Sequence, residues 1–141
     1  MGIIQDGERA QVAKAFEKIL SPVTLLLFSQ QFECEYCSVT RDLLGELAGL
    51  SDKVTLEVRD FVADAKLAEQ YGVDKIPATL VIGSHDYGIR FYGVPAGYEF
   101  GSLVECIIEV GKGDPGLGKD VLDLLKRVDQ PVRMEVMITP T

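Results

Sequence analysis

The chain has 141 residues, enough for one ordinary domain and a little more, and 47% hydrophobic with 26% charged residues is typical of a globular protein. The formal net charge of −8 comes without a lysine and arginine cluster, which argues against nucleic acid or anionic lipid as a partner. No segment approaches the roughly 18–20 apolar residues of a membrane span, and the first residues lack the basic and apolar regions of a secretory signal, so we expect a cytoplasmic protein.

Helix and strand patterns alternate along the first part of the chain. A helix begins near Asp6 and ends before Pro22, and residues 23–28 form an uninterrupted apolar run of strand length. Leucines at helical spacing then predict a second helix that ends near Leu50. Residues 54–59 alternate with period two, as in a strand with one wetter face, and residues 63–71 form a short helix. Gly72 closes that helix, as expected of a residue that adopts a left-handed cap.

Two further strands and a helix complete this unit. Pro77 directly precedes the apolar run 78–82, and it marks the entry of a strand because proline cannot lie inside a central one. Residues 88–93 are close enough to pair with that strand as an antiparallel hairpin, and residues 99–110 are helical. The order α, β, α, β, α, β, β, α predicts an α/β fold with a mixed central sheet and helices on both faces.

The last thirty residues repeat an earlier pattern. Residues 111–118 hold four glycines and a proline, which is typical of a linker, and a helix at 120–128 and a strand-like run at 133–138 follow. The order helix, proline, strand matches the N-terminal part at an offset of 109, from Pro22 to Pro131. We therefore predict one domain at 1–111 and, at 112–141, a linker, helix and strand resembling the start of a second. The alternative is an appended helix and strand that extend the sheet of a single domain.

The most informative stretch is Cys34-Glu35-Tyr36-Cys37, which lies where the first strand turns into a helix. With Cys34 near the first helical turn, unpaired backbone N–H groups and the helix dipole favour a thiolate. The pKa of a cysteine so placed falls from about 8.5 to roughly 3.5–7.5. Cys37 lies one turn deeper and should be less exposed. We therefore predict that Cys34 attacks a disulfide and that Cys37 resolves the mixed disulfide.

Other residues near this motif have more than one interpretation. A zinc half-site would need two further ligands, and the chain offers only Cys106 and His85, each alone. We interpret Cys106 as a small buried hydrophobe and His85 as a solvated turn residue. Tyr36 either shapes a contact surface or is simply a partly exposed aromatic. Glu35 disfavours the neighbouring thiolate, which predicts a moderate, rather reducing potential.

A CxxC at a helix start, followed about forty residues later by Tyr-Gly-Val-Asp-Lys-Ile-Pro-Ala-Thr at 71–79, resembles the thioredoxin fold over residues 23–110. The additional N-terminal helix, the Cys34–Cys37 motif, the segment 90–97 and the beginning of a second unit resemble a narrower group. This group is the two-unit, glutaredoxin-like protein disulfide oxidoreductases of thermophilic archaea and bacteria. In that family a Thr-Pro-Thr precedes the second pair of cysteines, and residues 139–141 read Thr-Pro-Thr here. The resemblance thus implies an N-terminal unit with the second unit cut off before its CxxC.

The resemblance also implies roles for individual residues. Pro77 would be cis and packed against the cysteines, and the backbone at Ile76 would bind an extended substrate segment beside Glu35 and Tyr36. Two family features are missing: the Trp before the motif, and the buried Asp of the preceding strand, for which Glu57 is a candidate substitute.

We predict a thiol–disulfide oxidoreductase that exchanges electrons with protein disulfides and dithiols and needs no metal or organic cofactor. The resemblance implies that it is a weak catalyst as an isolated unit, because in the family the second motif is often the more active one. The implied redox partner is a thioredoxin-reductase-type flavoprotein or a peroxiredoxin, and the C-terminal strand could join two copies into a homodimer. The alternative function is a non-catalytic thioredoxin-like docking or electron-relay module for a redox partner.

Overall fold

The element order follows the predicted alternation closely. The computed structural model describes residues 2–139, and its elements are α1 (Asp6–Phe16), β1 (Val23–Ser29), α2 (Cys37–Ala48), β2 (Val54–Asp60), α3 (Ala65–Gln70), β3 (Ala78–Ile82), β4 (Asp86–Tyr92), α4 (Tyr98–Lys112) and α5 (Lys119–Leu125). From α1 to α4 this order confirms the predicted α/β architecture. The cysteine motif lies between β1 and α2.

The four strands form one mixed sheet in the order β2-β1-β3-β4. β1 and β2 are parallel, whereas β3 is antiparallel to both of its neighbours. Phe28 near the end of β1 lies opposite Ala78 at the start of β3, and Ala78 lies opposite Tyr92 at the end of β4. Four connections therefore leave the sheet at the same end: residues 30–36, 61–64, 72–77 and 93–97. We call this the cysteine end.

Alternate residues of β1 belong to two separate apolar clusters. Leu25 and Leu27 pack with residues of α1, α2 and α4, while Leu26 and Phe28 pack with the face that α3 covers. A strand buried on both faces is apolar at successive positions, which is why residues 25–28 show no alternation. The predicted placement of helices on both faces of the sheet is confirmed.

The C-terminal end of α4 lies directly against the connection between α1 and β1. The carbonyl of Gly111 accepts hydrogen bonds from the N–H groups of Leu20 (3.2 Å) and Ser21 (3.0 Å). A Cβ at position 111 would lie 2.5 Å from Cγ2 of Ile19 and 3.1 Å from Cγ2 of Val23. Glycine is therefore what allows the two segments to approach so closely.

The C-terminal part of the chain departs from the prediction. The predicted helix at 120–128 is present as the shorter α5. Residues 129–139 form no strand, so the predicted strand at 133–138 is wrong for this structure. Within residues 2–139 no neighbouring strand pairs with this run, and an unpaired segment has no ladder to supply its backbone hydrogen bonds. Its apolar side chains are exposed, Met134 to 88%. Pro140 and Thr141 of the Thr-Pro-Thr lie outside the described residues.

Candidate active site at the cysteine pair

Cys34 and Cys37 are joined by a disulfide, and their Cα atoms are 5.5 Å apart. The chain leaves β1 at Ser29 and reaches the pair through a turn in which Glu33 adopts a left-handed conformation with φ of 57°. Cys34 is half-buried, whereas Cys37 is only 2% exposed. This confirms that Cys37 is the less accessible sulfur and that the motif lies between a buried strand and a helix.

The start of α2 fixes the place of Cys34 near the first helical turn. Tyr36 is the N-cap and Cys37 the first helical residue, so Cys34 lies just before the helix. The helix begins there because the Tyr36 carbonyl accepts both the N–H of Thr40 (3.1 Å) and its hydroxyl (2.7 Å). The disulfide still holds the Cys34 sulfur against a residue of the first turn. Both sulfurs therefore lie at the helix terminus that stabilises an anion.

The Ile76–Pro77 peptide bond is cis, as the resemblance implied. Pro77 is buried and directly precedes β3, whose first residue pairs with Phe28 near the end of β1. The register thus brings Ile76 and Pro77 to the cysteine end. Ile76 is half-buried, and within residues 2–139 its backbone N–H and C=O make no hydrogen bond.

The connection after β4 is bound to the proline loop. The N–H of Gly93, a residue with φ of 87°, donates a 2.9 Å hydrogen bond to the carbonyl of Pro77. Gly97, with φ of 61°, caps the start of α4 at the same end of the sheet. From the sequence, this segment was predicted only as a turn. Gly93 and Gly97 are typical of a turn, but they do not indicate that the segment is hydrogen-bonded to the proline loop.

Arg90 supports the proline loop from the neighbouring strand. Its guanidinium donates to the Tyr71 carbonyl (3.0 and 3.3 Å) and to both oxygens of Asp86 (2.6 and 2.8 Å). The hydrogen bond from Arg90 lowers the pKa of the Asp86 carboxyl. This anchor links β4 to the residue just before Gly72, and no pattern in the sequence pointed to it.

Glu35 and Tyr36 are both exposed between the two cysteines. On the proline loop Lys75 forms an ion pair with Asp74 (2.8 Å), and its ammonium lies 4.4 Å from the centre of the Tyr92 ring. The hydrogen bond between the Lys75 and Asp74 side chains lowers the pKa of Asp74 and raises the pKa of Lys75. All four residues predicted to bind substrate, Glu35, Tyr36, Ile76 and Pro77, thus lie on loops of the cysteine end.

Glu57 does not replace the buried aspartate of thioredoxins. Its side chain is 43% exposed, and its carboxylate is bound by the guanidinium of Arg59 two residues away. The buried polar residues of the described chain are Thr40 and Thr79, neither of which is acidic. A proton exchanged at the sulfurs would therefore come from solvent or from the reacting thiols.

The other residues discussed from the sequence lie away from the pair. His85 belongs to the turn between β3 and β4, at the opposite end of the sheet, where its ring contacts Tyr87 and Ser84. Cys106 is a free, half-buried thiol on α4, and burial raises its pKa, with smaller contributions from Glu105 and Glu109.

Neither a metal cluster nor a membrane-spanning helix occurs within residues 2–139. This part of the chain contains no group of three or more His, Cys, Asp or Glu side chains arranged to hold a metal ion. It also contains no helix that is both long and apolar enough to cross a bilayer.

Known sequences resemble this chain at a moderate level. It is 28% identical over 130 residues to an alkyl hydroperoxide reductase subunit of Pseudomonas aeruginosa, covering 90% of this chain and 22% of that protein. It is also 28% identical over 99 residues to an NADH dehydrogenase of Bacillus subtilis, covering 70% of this chain and 17% of that protein. The chain thus spans about a fifth of the length of these curated relatives. No protein-family model matches it.

Solved structures share the fold. The NTD_N/C domain of alkyl hydroperoxide reductase AhpF from Enterococcus faecalis superimposes with a TM-score of 0.79 at 29% identity, over 85% of this chain and 58% of that one. A protein disulfide oxidoreductase from Aeropyrum pernix superimposes with a TM-score of 0.78 at 23% identity, over 88% and 55% of the two chains. A thioredoxin from Halobacterium salinarum gives 0.52 at 18% identity, over 79% and 89%. These similarities, together with the disulfide-bonded CxxC, confirm the predicted resemblance to the thioredoxin fold.

Proposed function

We propose that this thioredoxin-fold chain is a thiol–disulfide oxidoreductase whose reactive centre is the Cys34–Cys37 pair. The single observation that carries the proposal is the unequal exposure of two disulfide-bonded cysteines at a helix start: Cys34 is partly exposed to solvent, and Cys37 is buried. The likeness to the AhpF domain supports the same chemistry, and the Aeropyrum protein disulfide oxidoreductase shares the fold that presents the pair.

The reaction needs only the two cysteines of this chain and the disulfide of a substrate. In the reduced chain the Cys34 thiolate attacks one substrate sulfur, a bond forms between them, and the other substrate sulfur leaves as a thiolate and takes a proton. The Cys37 thiolate then attacks Cys34, which releases the second substrate sulfur. The substrate disulfide has gained two electrons and two protons, and the Cys34–Cys37 dithiol has become a disulfide. The reverse sequence oxidises a dithiol.

The geometry favours Cys34 as the attacking residue and Cys37 as the resolving one. A substrate sulfur cannot approach Cys37, because that side chain is almost fully buried. Cys37 nevertheless lies within bonding distance of Cys34, since the two already form the disulfide. In the reduced chain the unpaired N–H groups at the start of α2 would stabilise whichever sulfur carries the negative charge.

Substrate binding would use backbone more than side chains. The unpaired N–H and C=O of Ile76 can bond to an extended segment of the partner, which is the strand-addition mode of recognition. The register of β3 places that backbone at the end of the sheet where β1 ends, and Glu35 and Tyr36 directly follow the reactive Cys34. Such a site accepts many sequences, as an exchange catalyst acting on protein disulfides requires.

The decisive experiment is the reduction of insulin by dithiothreitol. We expect the chain to accelerate it and Cys34→Ser to remove the acceleration. Cys37→Ser, reduced and then freed of dithiothreitol, should accumulate a mixed disulfide with insulin, detectable by non-reducing electrophoresis. Cys106→Ser is the matched control and should keep the full rate, since Cys106 lies on α4 outside the pair. Equal rates for the wild type and Cys34→Ser would refute the catalytic role.

A second candidate is a docking or electron-relay module that passes electrons to another site. It is favoured by one observation: the chain covers only 58% and 55% of the AhpF and Aeropyrum chains it resembles. The two candidates differ in thiol reactivity. Alkylation by iodoacetamide against pH, in a Cys106→Ser background, should show one thiol of low pKa for a catalyst. Two thiols that titrate near 8.5 or above would favour the module.

The domain boundary is also a proposal. Residues 1–111 would be the thioredoxin-fold unit, and 112–141 would begin a second one. Support comes from α4, which ends at Lys112 with Gly113 in a left-handed cap, and from the exposed apolar side chains of α5. Limited proteolysis should cut within residues 113–118 and leave the unit intact; a cut inside α4 would contradict the boundary.

Partners and location are proposed on the same basis. Protein disulfides and dithiols would be the substrates, and a thioredoxin-reductase-type flavoprotein or a peroxiredoxin would be the redox partner, in the cytoplasm. The support is that relatives are named as an alkyl hydroperoxide reductase subunit and an NADH dehydrogenase. Two copies could also pair through residues 133–138, which are exposed and belong to no strand. A monomeric sedimentation profile at high concentration would exclude this homodimer.

A further inference from the structure

The negative charge of the chain is concentrated around the cysteine pair. The four connections of the cysteine end, with Asp60 and Glu99 next to them, hold six carboxylates and one lysine, a net charge of −5; the carboxylates are Glu33, Glu35, Asp60, Asp64, Asp74 and Glu99. Lys66 and Glu69 on the adjacent α3 offset one another. The connections at the opposite end, 17–22, 49–53 and 83–85, with Asp86 next to them, hold three carboxylates and two lysines, a net charge of −1, and Asp86 is paired with Arg90.

Few cations of the chain itself neutralise these carboxylates, and beside Lys75 the nearby ones are Arg133, which acts on Asp74, and Arg59, which acts on Asp64. Within residues 2–139 the ion pairs include only Asp74 of the six, and its partner is Lys75, the one lysine of these segments. Asp60 accepts the backbone N–H groups of Val62 and Ala63 instead. Partial burial raises the pKa of Glu99, and no cation opposes that shift. The disulfide therefore lies among loops whose own charges leave a negative field.

Exposed apolar side chains lie on the same loops. Phe32 is 73% and Tyr98 80% exposed, and Tyr36 and Val62 are also more than half exposed. Phe32 and Tyr36 flank Cys34 in the sequence. Tyr98 is the first residue of α4. It directly follows the loop 93–97, which is held to the proline loop by the hydrogen bond from Gly93 to Pro77. Large apolar side chains near a reactive group are what a protein partner would cover, with the carboxylates as its charged rim.

On the basis of the proposed function, we propose that the protein partner presents its disulfide on a basic surface, next to an apolar side chain. Opposite potentials on two surfaces steer their encounter and raise the association rate, and like charges exclude wrong partners. A disulfide flanked by lysine or arginine is therefore preferred, and one flanked by Asp or Glu is rejected. Glu33, Glu35 and Glu99 are the specificity-determining residues.

Three synthetic peptides test this, each with one intramolecular disulfide next to a leucine and flanked by lysines, serines or glutamates. The reduced chain should reduce the lysine peptide at least about tenfold faster than the glutamate peptide at low salt, since steering changes association rates by about 10–1,000-fold. The difference should shrink when NaCl rises from about 20 mM to about 500 mM, because the Debye length falls well below 10 Å. Rates that agree within about twofold at low salt would overturn the proposal.

Charge-removing variants locate the effect. In Glu33→Gln/Glu35→Gln/Glu99→Gln the ratio of lysine-peptide to serine-peptide rates should fall several-fold. The ratio cancels any change in the reactivity of the thiolate itself. The control removes three charges at the opposite end, in Glu17→Gln/Asp52→Asn/Glu109→Gln, and should leave the ratio unchanged. An equal fall in both variants would overturn the assignment of these residues.

The serine peptide separates this proposal from the one it depends on. If the wild type reduces it and Cys34→Ser does not, the proposed function stands, whatever the charge preference. If Cys34→Ser reduces all three peptides as fast as the wild type, the proposed function fails first. If the wild type reduces all three at one rate and Cys34→Ser reduces none, only the basic-partner inference is overturned.

Discussion

Gly111 offers the sharpest test of how α4 is packed. In Gly111→Ala the new Cβ would meet Cγ2 of Ile19 at 2.5 Å and Cγ2 of Val23 at 3.1 Å. Both side chains are almost fully buried, so neither can rotate into solvent. The helix end must then move away, and the hydrogen bonds from Leu20 and Ser21 to the Gly111 carbonyl weaken.

The size of the effect follows from three contributions. Overpacking a well-packed site costs about 1–3 kcal/mol, and each weakened hydrogen bond removes up to about 1 kcal/mol. Replacing a helical glycine by alanine opposes this by at most about 1 kcal/mol. We expect a net loss of about 2 kcal/mol in the free energy of unfolding. For a chain of this size that lowers Tm by roughly 6–10 °C.

Gly101→Ala is the matched control, because Gly101 lies on the same helix and a Cβ there would meet nothing within 4 Å. It should leave Tm unchanged or raise it by a few degrees. Both variants would be measured by urea unfolding and calorimetry with the disulfide intact. The packing argument fails if Gly111→Ala is as stable as the wild type, or if the two variants lose the same stability.

Three other outcomes can be checked with single substitutions. Thr79→Val should keep or raise stability by about 1 kcal/mol in urea unfolding, because the buried Thr79 hydroxyl has no hydrogen-bond partner within residues 2–139; a loss above about 2 kcal/mol would mean that the hydroxyl is bonded. Glu46 accepts hydrogen bonds from the N–H groups of Ile3 (2.5 Å) and Ile4 (3.0 Å), which lower its pKa from the usual 4.5. Its contribution to stability is therefore present above pH 4.5 and lost as pH falls through the lowered value, so the advantage of wild type over Glu46→Gln should vanish in acid but not at neutral pH. Glu35→Pro should raise the redox potential, since removal of the carboxylate favours the thiolate of the reduced form; an unchanged or lower value in a redox titration would contradict this.

Much of the fold and the reactive pair could be predicted because their signals are local. The unbroken apolar run at 23–28 indicates a strand buried on both faces, and Pro77 before another apolar run marks the entry of its neighbour. With two residues between them, Cys34 and Cys37 are close enough to form a disulfide. Which cysteine is more exposed followed from the direction of the helix after them. Each of these depends on residues within a few positions of one another.

Other features depended on contacts between distant residues, and these the sequence alone could not determine. α2 begins at Cys37 because the Tyr36 carbonyl binds Thr40, a choice among several possible first turns. The run at 133–138 has strand composition, yet it forms no strand without a partner to bond its backbone. The grouping of four loops and their carboxylates around Cys34 comes from strand order and register. The periodicity of a sequence shows which face of a helix or strand is apolar. Only the order and direction in which the strands pair decide which loops lie together at one end of the sheet.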